Sequence, residues 1–302
     1  MTGYAHGDYA ASLAEFGEPR LLPKSSGWIL ERSISGTAHR DAMGCYPLFA
    51  CPDWSQLQGD LDTLSNELVS LVLVTDPFGD YTEELLRHSF GDLVKPFKEH
   101  FVVDLVPAPE TFVHPHHQRN ARKACEKIHV ERCVEAASAL DEWDSLYSNL
   151  IERHNIRGIA RFSESSFAQQ LQVPGAVMLR ASHEGRVVGM TWWFVAAGVG
   201  YYHLGAYSDE GYDLRASFAL FWRAIELFKK EGLCWLDLGA GAGLGDRATD
   251  GLSRFKGGWS NGTRLAYLCG RVFDRARYEQ LAAAKGIRTT NYFPAYRQGE
   301  FV

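Results

Sequence analysis

Apolar residues recur every three or four positions along some stretches of the chain and in short runs or alternation along others. These two periods divide it into expected helices and strands. Leu57, Leu61, Leu64 and Leu68 share one face of a helix predicted over Trp54 to Leu68, and the run Val69 to Val74 reads as a buried strand ended by Asp76-Pro77. A helix from Thr82 to Phe90 and a strand from Glu99 to Val106 follow, the latter stopped by Pro107 and Pro109. The next predicted helix covers Thr111 to Ile128, with a strand over His129 to Val134. Ser138 and Asp141 have the spacing of an N-terminal capping pair for a helix reaching about His154, whose apolar face is Leu140, Trp143, Leu146, Tyr147 and Leu150. A short helix from Ser163 to Leu171 also starts on a serine.

The clearest segment is AVMLRASHEGRVVGMTWWFVAAGVGYYHLGAYS. It predicts three antiparallel strands over residues 176–182, 186–196 and 199–207, turning at Glu184-Gly185 and Ala197-Gly198. A helix from Leu214 to Lys230 then places Phe218, Phe221, Trp222, Ile225 and Phe228 on one side and closes at Gly232. A strand from Cys234 to Leu238, the glycine-rich stretch LDLGAGAGLGD, the segment DGLSRFKGGW, a strand from Thr263 to Cys269 and a helix from Asp274 to Lys285 complete the reading.

Composition adds bounds to this pattern. With 302 residues, 46% hydrophobic and 23% charged, the chain is a folded globular protein of one large or two ordinary domains. No basic leader followed by an apolar run and no membrane-length apolar stretch is present, so a cytoplasmic protein is expected. The six cysteines show no C-x-x-C spacing, which points away from a zinc site or a disulfide framework. A net charge of −6 argues against a general nucleic-acid coat. Two basic clusters remain as candidate anion contacts or solvated faces. One is Arg254, Lys256, Arg264, Arg271, Arg275, Arg277, Lys285, Arg288 and Arg297; the other is Arg119, Arg122, Lys123 and Lys127.

The glycine-rich stretch invites a methyltransferase reading, but its position excludes one. A nucleotide-binding glycine loop opens a helix after the first strand of a doubly wound sheet and has an acid about 20 residues on. Here the meander precedes the motif, Asn261-Gly-Thr-Arg264 carries no acid, and the roughly 60 residues that follow are too few for the missing crossovers.

From His129 on, the order strand, helices, three-stranded meander, long helix, strand, short helix, strand resembles the GNAT acyltransferase fold. RASHEGRVVGMTWW is similar to its second and third strands, and YYHLGAYSDEGYDLRASFALFWRAIELFKKEGLCWLDLG to its fourth strand, donor helix and fifth strand. DGLSRFKGGWSNGT is similar to a stretch of the Fem-type aminoacyltransferases, and His117-Gln-Arg-Asn-Ala-Arg-Lys-Ala124 to the basic helix start before their second domain. Residues 20–125, with LVTDPFGDY and FKEHFVVDL, are compatible with a degenerate first half. The resemblance implies a mixed α/β sheet built from tandem GNAT-like halves, divided as residues 1–125 and 126–302. It implies an N-acyltransferase that moves an acyl group from an activated donor to an amine of a peptide or small molecule. No tightly bound cofactor is expected, and the co-substrate would be acyl-CoA, an acyl-carrier protein or aminoacyl-tRNA. A Fem-type aminoacyltransferase and a non-catalytic GNAT-like binding module are the alternatives.

The resemblance also assigns roles. In ordinary GNAT enzymes Q/R-x-x-G-x-G/A holds the coenzyme A pyrophosphate on backbone N–H groups. This chain has Gly211-Tyr-Asp-Leu-Arg-Ala-Ser217, in which Ala216 fills a glycine place and Asp213 adds negative charge. Gly211, Arg215, Ala216 and Ser217 are its candidate donor contacts. Tyr201, His203 and Gly205 share one face of their strand, which makes His203 either a general base or a hydrogen-bonded core histidine. Asp237, an acid on a buried strand, needs a basic partner and is either a site residue or half of a structural pair with Arg215 or Arg254. Lys256 matches the Fem-type lysine, with a role at an oxyanion or donor phosphate. Tyr201, Trp192, Trp259, His117 and Arg119 are candidates for the acceptor or acyl slot. The HPHH run around His116 and His117 reads as a helix start at Pro115 rather than a metal site. Convergence of His203, Asp237 and Lys256 on one cleft would favour the enzyme, and separate surfaces the binding module.

Overall fold

A computed structural model describes residues 1–154, 158, 161–241, 251–287 and 289–300. After α1 (Gly7–Ser12), strands β1 (Glu18–Leu22), β2 (Gly27–Ser33) and β3 (Arg40–Gly44) form an antiparallel meander. Helix α2 (Leu57–Leu61) then brings β4 (Ser70–Val74) back parallel to β3. Helix α3 (Glu83–Phe90) leads to the long β5 (Leu93–Asp104). The same plan then repeats. Helices α4 (Pro109–Phe112) and α5 (Pro115–Cys125) lead to β6 (His129–Arg132), and α6 (Leu140–His154) and α7 (Glu164–Gln170) lead to a meander of β7 (Ala176–His183), β8 (Arg186–Ala196) and β9 (Val199–Tyr207). Helices α8 (Asp209–Asp213) and α9 (Ala216–Lys230) return β10 (Trp235–Asp237) parallel to β9, and α10 (Gly251–Gly257) leads to β11 (Gly262–Val272) and then α11 (Arg275–Ala284).

All eleven strands belong to one mixed sheet, ordered β1-β2-β3-β4-β11-β5-β10-β9-β8-β7-β6. Each repeat lends its last strand to the other. β5, from the first repeat, lies between β10 and β11, while β11, from the second, lies between β4 and β5. The two exchanged strands pair with each other at the centre. Pro96 is accommodated there because the β5–β11 register shifts between Ala266 and Tyr267, a bulge that spares a ladder hydrogen bond proline cannot make.

Side-chain alternation divides the core between the two faces of the sheet. Tyr201 and His203 of β9 enter an aromatic cluster with Tyr4, Tyr9, Trp143, Trp192 and Phe194, under α6 and α7. Tyr202 packs on the opposite cluster, where Phe221 and Phe228 of α9 meet Trp193, Leu236 and Trp259.

Several sequence expectations change in detail. The helix expected over Trp54 to Leu68 is α2 flanked by 3₁₀ turns at Trp54–Gln56 and Asp62–Asn66, although Leu57, Leu61, Leu64 and Leu68 are buried as expected. The helix expected over Thr111 to Ile128 breaks at Val113 and His114. Both are extended, as the residue before Pro115 tends to be. Ser138 does not cap α6; its hydroxyl donates to the Glu135 carbonyl inside a 3₁₀ turn, whereas Ser163 does cap α7 by accepting from the Ser166 amide. The strand expected from Glu99 begins at Leu93, and β1 to β3 are strands that the pattern did not announce. The C-terminal basic cluster separates into individual pairs, Arg271 with Asp62, Arg275 with Asp92 and Arg297 with Asp41. Arg288 lies outside the described residues.

Candidate active site

β9 and β10 pair in parallel only as far as Tyr201 and Asp237. β10 ends there, two residues before Gly239 with its φ of +73°, while β9 continues to Tyr207. The two strands diverge at this point, and the chemistry-bearing side chains gather beside it.

Asp237 is almost fully buried, and its partner is neither Arg215 nor Arg254 but His100 of β5. The His100 Nδ1 lies 3.0 and 2.9 Å from the two carboxylate oxygens, and Oδ1 also accepts the Gly239 amide at 2.7 Å. A carboxylate held in this way fixes the Nδ1–H tautomer of its histidine and leaves Nε2 as the basic nitrogen. Among the described residues Nε2 makes no hydrogen bond.

Tyr201 stands beside Asp237 in register and donates its hydroxyl to Asp76 Oδ2 at 2.9 Å. Asp76 follows β4 and also accepts the Phe78 amide at 2.9 Å. Burial pushes its carboxyl up to about 6, against the opposing pull of those two hydrogen bonds. Burial likewise raises the Tyr201 phenol, with the Asp76 charge adding to it, so that hydroxyl remains a donor. Arg264, paired with His100 across β5 and β11, stacks on Phe78 at 4.2 Å and on Trp235 at 5.1 Å. His100, Asp76 and Arg264 therefore join Tyr201 and Asp237. The sequence named Arg264 only as one of a basic cluster and neither of the other two as a site residue, because their contacts are separated by 125 to 187 positions.

The other expected residues occupy different surroundings. His203 shares the sheet face of Tyr201 but is enclosed, with Nδ1 at 3.1 Å from the Tyr4 hydroxyl and Nε2 at 2.9 Å from Gln170 Oε1. Both ring nitrogens are occupied, and burial pushes the imidazole down to about 3. Lys256 approaches the end of β10 from the opposite side, where its ammonium donates to the Ala240 carbonyl at 2.7 Å and lies 5.7 Å from the Tyr202 ring. His203, Asp237 and Lys256 do not converge on one cleft. The closest convergence is that of Asp237 with His100.

Trp192 is core, packed on Trp143, Phe194 and His203. Trp259 lies on the other face with His117, Phe218 and Phe221. His117 gives one ring nitrogen to the Phe255 carbonyl at 3.0 Å, and burial lowers its imidazole. Arg119 is exposed on α5. These residues and Tyr201 do not form one slot. At the HPHH run, Pro115 begins α5 and His114 caps it by accepting the His116 amide. Among the described residues no group of three or more His, Cys, Asp or Glu side chains is placed to hold a metal ion.

Several amides of the segment joining β9 to α9 are engaged within it, but those of Ala216 and Ser217, which open α9, make no hydrogen bond among the described residues. The amide of Gly211 goes to Ser208 Oγ, that of Tyr212 to the Ser208 carbonyl, that of Leu214 to Glu210, that of Arg215 to Tyr212 and that of Phe218 to Arg215. Gly211 is needed for close packing, since a Cβ there would sit 1.9 Å from the Val188 carbonyl oxygen. Arg215, with φ +60°, is the N-cap of α9 and donates to Asn120. Ala216 is fully buried and Ser217 partly so. Of the glycine-rich stretch, residues 242–246 lie outside the described residues.

Residues 116–256 match the family model for the acetyltransferase (GNAT) domain. Among solved structures, FemX superposes with a TM-score of 0.65 at 13% identity, covering 91% of this chain and 93% of that one. The structure of L-PGS from Bacillus licheniformis superposes at 0.58 with 15% identity, covering 94% and 97%. The C-terminal domain of a putative lysylphosphatidylglycerol synthetase from Agrobacterium fabrum also superposes at 0.58, with 14% identity, covering 95% and 92%. No curated protein matches by sequence. Residues 116–256 thus carry a GNAT-domain match, and the chain as a whole has the fold of these solved structures. The fold is shared with FemX and with the two synthetase structures. No helix among the described residues is long and apolar enough to cross a membrane.

Proposed function

We propose that the chain transfers an aminoacyl group from an aminoacyl-tRNA ester to an amine of a peptide or small molecule, with His100 as general base and Asp237 as its orienting carboxylate. The observation that carries the donor assignment is the β9–α9 segment. The amides of Gly211, Tyr212, Leu214 and Arg215 are engaged within the segment, and Asp209, Glu210 and Asp213 make it acidic, so only the first amides of α9 remain for an anion and the segment is poorly suited to a pyrophosphate. A tRNA ester does not require that cradle, and the Fem-type fold supports the same reading.

In the proposed reaction the amine nitrogen attacks the ester carbonyl carbon and its proton passes to His100 Nε2. The tetrahedral intermediate then collapses with loss of the sugar hydroxyl, which takes up the proton, and an amide remains. Asp237 stabilises the imidazolium formed on the way. Tyr201 and Asp76 hold the neighbouring wall. His203 is read as a residue that fixes the Tyr4 and Gln170 contacts rather than as the base. The division at residues 125 and 126 is retained as the boundary between the repeats, with β5 and β11 exchanged across it.

The test presents the purified protein with aminoacyl-tRNAs, acyl-CoAs and an acyl-carrier protein side by side, each with a panel of amines. Amide formation from aminoacyl-tRNA alone is the expected result. Efficient turnover of acyl-CoA without tRNA would overturn the donor assignment.

A further inference from the structure

The first repeat contains a divergence of parallel strands like the one that frames the candidate active site. β3 and β4 pair at Ala42/Leu71 and Met43/Val72, then make contact again only at Phe49/Thr75, and residues 45–48 leave the ladder between these points. A cavity of about 280 Å³ occupies the gap. Its walls are apolar, with Val72, Val74, Phe97 and Leu268 contributed by the sheet and Tyr46 and Phe293 by the loops above it.

The segment that covers the cavity is firmly anchored. Tyr296 and Arg297 donate to the fully buried Asp41, at 3.0 Å from the tyrosine and at 2.9 and 2.8 Å from the guanidinium. The Tyr296 hydroxyl also meets Ser70 Oγ at 2.8 Å. Charge at the rim is unequal. Arg32 and Arg297 are matched by Asp41 and Glu300, two cations to two carboxylates. Lys95, on β5, makes no ion pair within 4 Å among the described residues, and its ammonium lies 3.5 Å from the Asn291 carbonyl.

We propose that this cavity is a binding site for a small monoanionic amphiphile, with an unbranched or aromatic apolar body inside and a carboxylate at Lys95. Size sets the body, because an apolar cavity of roughly 150 Å³ admits benzene, and at that scale this one holds about twelve non-hydrogen atoms. The lone cation sets the head group, since an uncompensated ammonium at an apolar mouth selects an anion over a neutral or cationic analogue. The assignment is independent of the acyl-transfer reading, because none of its residues belongs to the His100–Asp237 site.

Calorimetric titration of the full chain with decanoate, decanol and decylamine tests it. Decanoate is expected to bind saturably at one site, and decylamine about tenfold more weakly or worse. V72F, which fills the cavity, is expected to abolish binding of both decanoate and decanol while leaving amide formation unchanged. K95E is expected to weaken decanoate by about tenfold and leave decanol unaffected, and it carries the test if V72F does not fold. The proposal is overturned if decanoate shows no saturable heat up to about 1 mM, a range that covers even weak ligands, or if folded V72F binds it as well as the parent chain does.

Discussion

Two histidines on the same side of the sheet have opposite surroundings. His203 has both nitrogens engaged by uncharged partners, Tyr4 and Gln170, whereas His100 has one nitrogen on a buried carboxylate. The sequence showed that Asp237 was an acid on a buried strand and therefore required a basic partner. It did not show which, because β5 reaches β10 only through the exchange of strands between repeats. His203 was conspicuous on an alternating strand, yet alternation says which face a side chain takes and not what waits there. The environment of His203 has a consequence for stability. Its imidazole, depressed to about 3 from the ordinary 6.5, stays neutral in the folded protein while the unfolded chain takes up a proton, so its contribution is complete above pH 6.5 and is lost as pH falls toward 3. H203Q is expected to be less stable at pH 7.5 by about 1–3 kcal/mol, from imperfect replacement of two buried hydrogen bonds. Between pH 6.5 and 4 its stability should fall less steeply than that of the parent chain, by up to about 1.4 kcal/mol per pH unit. Urea unfolding at several pH values gives both quantities, and parallel curves would count against the neutral buried imidazole.

Among the elements, the second meander was legible because its apolar residues lie on uninterrupted strands bounded by Glu184-Gly185 and Ala197-Gly198, and both turn pairs adopt positive φ. The first meander was not legible. Its strands carry Arg20, Glu31, Arg32, Arg40 and Asp41, which read as loop in sequence but satisfy one another across the sheet, Arg20 and Arg40 with Glu31, and Arg32 with Asp41. The exchange of β5 and β11 has no signature in local periodicity either, since it concerns which neighbour a strand chooses. It does have a testable outcome. A fragment of residues 126–302 lacks β5 and would leave β10 and β11 with unpaired edges at the centre of the sheet, so it should fail to fold alone. Mixing it with a fragment of residues 1–125 should restore a folded complex, seen as a cooperative melt. A stable, soluble monomer of 126–302 would show that the exchange is dispensable.

At the scale of the whole molecule, two copies of one strand–helix–strand plan meet along β5 and β11, and each provides a place where parallel strands diverge. Beside the divergence in the second repeat lie His100, Asp237, Tyr201 and Asp76, and two of the four, His100 on β5 and Asp76 in the loop after β4, come from the first repeat. The site therefore exists only when both repeats are assembled, which explains why the second half alone, although legible as a GNAT domain, could not reveal the proposed base. The measurement that bears most directly on this account is the rate of amide formation by H100Q and D237N, compared with the parent chain on its best donor. The account predicts a loss of about 10²- to 10⁴-fold in kcat for H100Q, with the donor KM little changed, as expected for removal of a general base. D237N should also be impaired, through loss of the fixed tautomer. An H100Q protein that turns over at the parental rate would contradict it.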